Sequence, residues 1–150
     1  MSAVPTRTLA EVRAAFVAVL RAALGDEVVS DLPADLAPLH ADLDRVGGVF
    51  VAIQRSEVVH LGRHQGVLDL PADTRVLVVG HVAVLDGEHD GEAQHTAALD
   101  LADQIRRAVL AAWEDLRPSR WETSVSLQTD PDLYVVEVVV TCRHYAPAGA

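Results

Sequence analysis

The stretch "HDGEAQH", residues 89–95, gathers His89, Asp90, Glu92 and His95, residue types that bind metals or move protons. Glu92 and His95 form E-x-x-H, a spacing that shares one face of a helix. Carboxylate-bridged metal sites use such pairs, but on two facing helices and with further Glu ligands. A second copy, "EVVH" from Glu57 to His60, lies in a β-type run, where residues three apart point to opposite sides of the sheet. It cannot complete a matched set. The sequence speaks more for an acidic helix start, since carboxylates are stabilised at the positive end of the helix dipole.

Other candidate chemistry is similarly balanced. Cys142 is the single thiol and shares a strand face with His144, two residues on. Strand cysteines are more often inert core or interface groups than nucleophiles. Ser30, Ser56, Ser119, Ser124 and Ser126 sit in no G-x-S-x-G turn. Neither G-x-G-x-x-G nor G-x-x-x-x-G-K-[ST] occurs, and with no lysine in the chain the second is impossible. "HLGRHQG", with His60, Arg63 and His64 beside Gly62 and Gly66, reads as a hairpin tip before it reads as an anion loop. His81, within "VGHVAV", reads as a core or subunit-contact residue. The expectation is a protein without catalytic residues, metal or cofactor, and not an enzyme.

The elements that must position these residues follow from periodicity. "TLAEVRAAFVAVLRAALG" opens with a capping box, Thr8 and Glu11, and stops at Gly25. Its apolar stripe is Leu9, Val12, Phe16, Val19 and Ala23, widened by Leu20 and Leu24. Residues 26–48 carry two prolines and five aspartates and read as a surface connection, with a helical turn near 36–43. "GVFVAIQR" is a short strand with Val49, Val51 and Ile53 on one face. "EVVHLGR" and "GVLDL" form a strand pair turning at "HQG". "RVLVVGHVAVL", residues 75–85, is apolar on both faces and therefore central or covered on both sides. A second helix spans about 91–116, with Leu99, Ala102, Ile105, Val109, Ala112, Trp113 and Leu116 as its stripe, and Pro118 ends it. "WETSVSLQ" and "LYVVEVVVTCRHY" close the chain as a hairpin whose "TDPD" turn is too short for a parallel crossover.

These elements predict one α+β domain over 1–150, with loose termini at 1–7 and 146–150. Two helices pack on one face of a mainly antiparallel sheet of about four to five strands, with an extended central hairpin. Length and apolar content suffice for a core: the chain has 150 residues and is 50% hydrophobic. A net charge of −10, with all twelve cations arginine, disfavours nucleic-acid and anionic-lipid surfaces. The opening "MSAVPTRT" lacks an apolar signal region, and a single cysteine excludes an internal disulfide, so a soluble product of a reducing compartment is expected.

"LAEVRAAFVAVLRAAL", "RVLVVGHVAVLDG", "AALDLADQIRRAVLAAW" and "LYVVEVVVTCRHY" together resemble small phage tail proteins of the tail-terminator type, including those of Mu-like contractile phages. The resemblance is architectural and covers most of the chain. It implies a structural protein of a phage virion or phage-like particle, assembled in the host cytoplasm. It implies a homo-oligomeric, hexameric ring that caps the tail tube, ends its polymerisation and meets sheath and neck proteins, while DNA passes through the lumen without specific binding. Membranes are not involved, and the family has no catalytic residues. The expected subunit interface comprises Arg55, Glu57, Arg63, His64, Asp86, Glu88 and Asp90, with the arginine-bearing segment Arg55–Arg63 of one copy meeting an acidic neighbour such as Asp86, Glu88 or Asp90 of another, one patch meeting a different one. The alternatives are another component of such a particle (neck, connector or tube protein) or a small metal- or ligand-binding domain.

Overall fold

A computed structural model describes residues 4–26, 28–30, 46–58, 62–64, 67–83, 92–128 and 133–147. In chain order the elements are α1 (Leu9–Leu24), β1 (Val29–Ser30), β2 (Val46–Val58), β3 (Gly62–His64), β4 (Val67–Asp69), β5 (Pro71–Ala83), α2 (Glu92–Ala111), α3 (Trp113–Leu116), β6 (Pro118–Gln128) and β7 (Leu133–Tyr145). The strands form a five-stranded sheet in the order β1-β2-β5-β7-β6, with β3 and β4 as a separate ribbon in the connection between β2 and β5. Only β1 runs parallel to its neighbour, and it meets β2 at just Val49 and Phe50. The chain is thus α+β, with its helices on one face of a mainly antiparallel sheet and an extended central hairpin.

α1 begins where the sequence places it. The Thr8 hydroxyl accepts from the Glu11 backbone N–H at 3.1 Å, and the Glu11 carboxylate accepts from the Thr8 N–H at 3.0 Å. These hydrogen bonds hold the Glu11 carboxyl below its ordinary pKa. Gly25 ends the helix at φ 106°, in the region glycine reaches without strain.

The sheet's face is set by alternation of β-branched residues. On β5, Ala72, Thr74, Val76, Val78 and Val82 are buried, and on β7 so are Val136, Val138, Val140, Cys142 and His144. Against this face pack Phe16, Val17 and Leu20 of α1 and Ala98, Leu101, Ile105 and Val109 of α2. Gly80 lies under α2: a Cβ there would stand 2.7 Å from Leu101 Cδ2. The terminal methyl of Leu101 occupies the space that a side chain at this position would take.

Several expectations are corrected. The buried stripe of α2 runs through Gln94, Ala98, Leu101, Ala102, Ile105 and Val109, while Leu99 is 45% and Trp113 51% exposed. In this alanine-rich helix apolar residues surround the axis, and packing against α1 and the sheet, Leu101 over Gly80 included, selects the rotation. On α1, Leu9 is exposed and Val17 buried, a shift of the same kind. β5 starts at Pro71 rather than Arg75, and residues 57–58 belong to β2. Pro118 begins β6 instead of merely ending the helix; the turn between them has Arg117 in the left-handed region, φ 51°. The N-terminus is not loose from Pro5 on. The Tyr145 N–H donates to Pro5 O and the Arg7 N–H to Tyr145 O, each at 2.8 Å. Arg7 also pairs with Asp115. This segment continues alongside β7 where β6 has ended, satisfying backbone groups that would otherwise be open. Ala146 is likewise held, donating to Leu70 O at 2.8 Å. The helical turn expected near 36–43 and residues 84–85 lie outside the described residues.

Gly80→Ala should cost about 1–3 kcal/mol in chemical denaturation, because the added methyl must displace a packed leucine. In the background of Leu101→Ala the same change should cost clearly less, since the space is then open. Strict additivity of the two changes would refute this account of the helix–sheet contact.

Candidate assembly surface

The sheet face away from the helices is the candidate surface for interaction. Strand register lays its side chains in rows about 4.8 Å apart from strand to strand. One row crosses Ala52, Leu77, Val139 and Glu122; the next crosses Arg55, Arg75, Thr141 and Arg120; the next crosses Glu57, Asp73 and Arg143. The apolar members Phe50, Ala52, Leu77, Val79 and Val139 are half-buried, and Val135 is buried at 4% exposure. This face is therefore less open than a bare apolar sheet, and its polar end carries the charge.

The polar end forms a shallow basin of about 530 Å³ bordered by Arg55, Arg75, Arg120, Glu57, Asp73 and Thr141. Arg143 grips Asp73 with two hydrogen bonds, 3.0 and 3.1 Å, which raise the arginine's pKa further. Arg75 lies 3.5 Å from Glu122, and Arg55 4.0 Å from Glu57. These last two pairs are exposed, and pairs of that kind contribute little to stability.

A second feature adjoins β6 on the helix side. Leu110, Trp113, Pro118 and Trp121 line a groove of about 330 Å³, rimmed by Arg106 and Arg120. Leu110 is 46% exposed. The chain's two tryptophans therefore stand in one place.

Of the residues expected at the interface, Arg55 and Glu57 lie exposed on the polar end of the open face. Arg63 and His64 fall in β3, paired with Leu68 and Val67; their side chains lie outside the described residues. Asp86, Glu88 and Asp90 lie outside the described residues. His60 and His89 lie outside them as well. Arg120 and Glu122 belong with Arg55 and Glu57, and the sequence reading missed them. Their signal was the alternation of "SRWETSVS", but only the register against β7 shows which arginines they join.

The described residues that drew attention for chemistry make the following contacts. His95 stacks on Tyr134, ring centroids 5.1 Å apart. His81 pairs with Val135 in register and is half-buried. His144 is buried and hydrogen-bonded through Nε2 to Thr74 Oγ1 at 2.6 Å, and Thr74 to Ser56 at 2.8 Å. Cys142 is buried, and desolvation pushes its thiol from 9.0 to about 11, an effect that Arg7 offsets only in part. Among the described residues no three His, Cys, Asp or Glu side chains converge as a metal site. No described helix is long and apolar enough to cross a membrane.

No protein-family model matches this chain, and no curated protein matches it.

A pKa near 11 leaves about a hundredth of the thiolate that an ordinary thiol has at pH 8. Cys142 in the folded protein should therefore react with an aromatic disulfide reagent at least roughly 100-fold more slowly than in denaturant. Equal rates would mean that the strand holds the thiol open to solvent.

Proposed function

We propose that this chain is a ring-forming assembly protein of the tail-terminator type, which caps the tail tube of a phage or phage-like particle and joins it to head or neck. The observation that carries the reading is the arrangement of elements. A capped helix, a long central hairpin, a long second helix and a closing hairpin place every helix on one side of one sheet. That is the arrangement the resemblance implies. The opposite side carries charge in ordered rows, and Trp113 and Leu110 stand exposed beside the sheet edge. Exposed tryptophan is enriched at the energetic centres of interfaces.

The reading gives the chemistry of the open face a role. Arginine and carboxylate alternate on it, so a copy can meet a neighbour through unlike patches, as ring closure requires. Acidic balance keeps free copies apart until such patches align. In a particle the ring sits at the end of the tube, with tube, sheath and neck proteins as its partners. DNA passes through the lumen, past a protein whose net charge of −10 discourages sticking.

Purified protein examined by native mass spectrometry and negative-stain electron microscopy should give a closed ring of about six copies, alone or on added tube ends. A chain that stays single at high concentration and leaves tube length unchanged would remove this reading.

A further inference from the structure

The five-stranded sheet has two open edges of different character. β6 is the outermost strand on one side, with no strand beside it among the described residues. On the other side β1 covers only Val49 and Phe50, and Arg13 Nε caps Val51 O at 2.7 Å. From Ala52 to Val58 no strand pairs with the outer edge of β2 among the described residues, and Gln54 through Val58 are all exposed.

We propose that β6 of one copy pairs with β2 of the next, antiparallel, in the register that sets Arg120 opposite Glu57 and Glu122 opposite Arg55. The inference rests on the ring reading above and names the contact that closes it. Direction comes first. β2, β5, β7 and β6 alternate in sense, so β6 runs opposite to β2. A rotation about an axis along the strands preserves sense, and β6 then meets the next β2 antiparallel, continuing the alternation. Face comes second. Arg120 and Glu122 sit beside Thr141 and Val139, and Arg55 and Glu57 beside Arg75 and Asp73, all on the side away from the helices. If the helices of neighbouring copies stay on one side, these four residues share a face across the junction.

Charge then selects the register. Slipping the strands by two residues one way opposes Arg120 to Arg55; slipping the other way opposes Glu122 to Glu57. Like charges directly opposite destabilise a strand pair, and opposite charges stabilise it. Only the proposed register gives two unlike pairs. It also places Ser56 opposite Trp121, and brings Val58, 41% exposed, to the groove that Leu110, Trp113 and Pro118 line. The bulge between Ile53 and Arg55 puts Arg55 and Glu57 on this face at all; without the extra residue they would turn toward the helix side.

Charge exchange tests the pairing. Glu57→Arg and Arg120→Glu, made singly, should each raise the protein concentration for half-assembly by about fivefold or more at low salt, in native mass spectrometry and light scattering. The double variant, which restores an unlike pair, should return it to within about twofold of the parent. Circular dichroism melts matching the parent's establish that each variant folds, as expected for exposed positions. Tryptophan emission, which reports only the groove, should shift to shorter wavelength as the parent assembles. Single variants that assemble like the parent, or a double variant no better than the singles, overturn the register while the ring stands. A parent chain that never assembles overturns both.

Discussion

The whole surface chemistry of this molecule depends on one constraint: which face of β5 and β7 is turned to the helices. Val76, Val78, Val136, Val138 and Val140 occupy alternate positions and are fully buried. Each such valine contributes about 1.5–3 kcal/mol relative to exposure. Sliding β5 or β7 by one residue would turn its charged residues, Asp73 and Arg75 or Glu137 and Arg143, toward the core among the apolar ones, and burying a charge without a partner costs far more than a valine gains. The register is therefore fixed by the core, and the charged rows of the opposite face are fixed with it. Gly80 adds a local condition. Leu101 of α2 packs over it, while Leu110 of α2 and Trp113 of α3 stand outward beside β6.

That coupling explains what the sequence made legible. Signals confined to one element were readable: the Thr8–Glu11 box, the stop at Gly25, the alternation of β6 and β7, and the short turn that makes their hairpin antiparallel. From these the fold class followed. Features that depend on two elements were not readable. The stripe of α2 differs because Ala97, Ala98, Leu99, Leu101 and Ala102 offer apolar atoms in nearly every direction, and packing against α1 and the sheet, Leu101 over Gly80 included, decides among them. The tether of Pro5–Arg7 to Tyr145 carries no local signal, since it fills the space beside β7 that β6 vacates. The charged basin was half legible. Arg55 and Glu57 stood out as a polar end to an apolar strand, whereas Arg75, Arg120 and Glu122 join them through register across β7.

The residues with reactive reputations illustrate how context removes reactivity. His144 and Cys142 face the helix side, near the end of the sheet held by the N-terminal segment. The imidazole is occupied by a buried hydroxyl, and the thiol is held protonated by desolvation. A nucleophile needs a low pKa and access, and Cys142 has neither. His95 spends its ring on Tyr134, tying the first turns of α2 to β7. What these groups provide is a rigid platform beneath the exposed edges.

Edges are where such a platform meets other chains. A long unpaired strand invites pairing with any other strand, and natural proteins guard against this with charge, proline and bulges. β6 carries all three: Pro118 at its start, an irregularity before Arg120, and then Arg120 and Glu122. β2 carries a bulge and then Arg55 and Glu57. The same charges that repel arbitrary strands are complementary to each other in one antiparallel register. Protection and recognition are then a single property, because a guard written in alternating sign excludes every neighbour except one bearing the inverse order. In this chain the inverse order is found on its own opposite edge. In the proposed pairing, two different edges that match each other would not close a two-fold dimer by one contact; they would propagate from copy to copy and end where the curvature of the sheet brings the last edge back to the first.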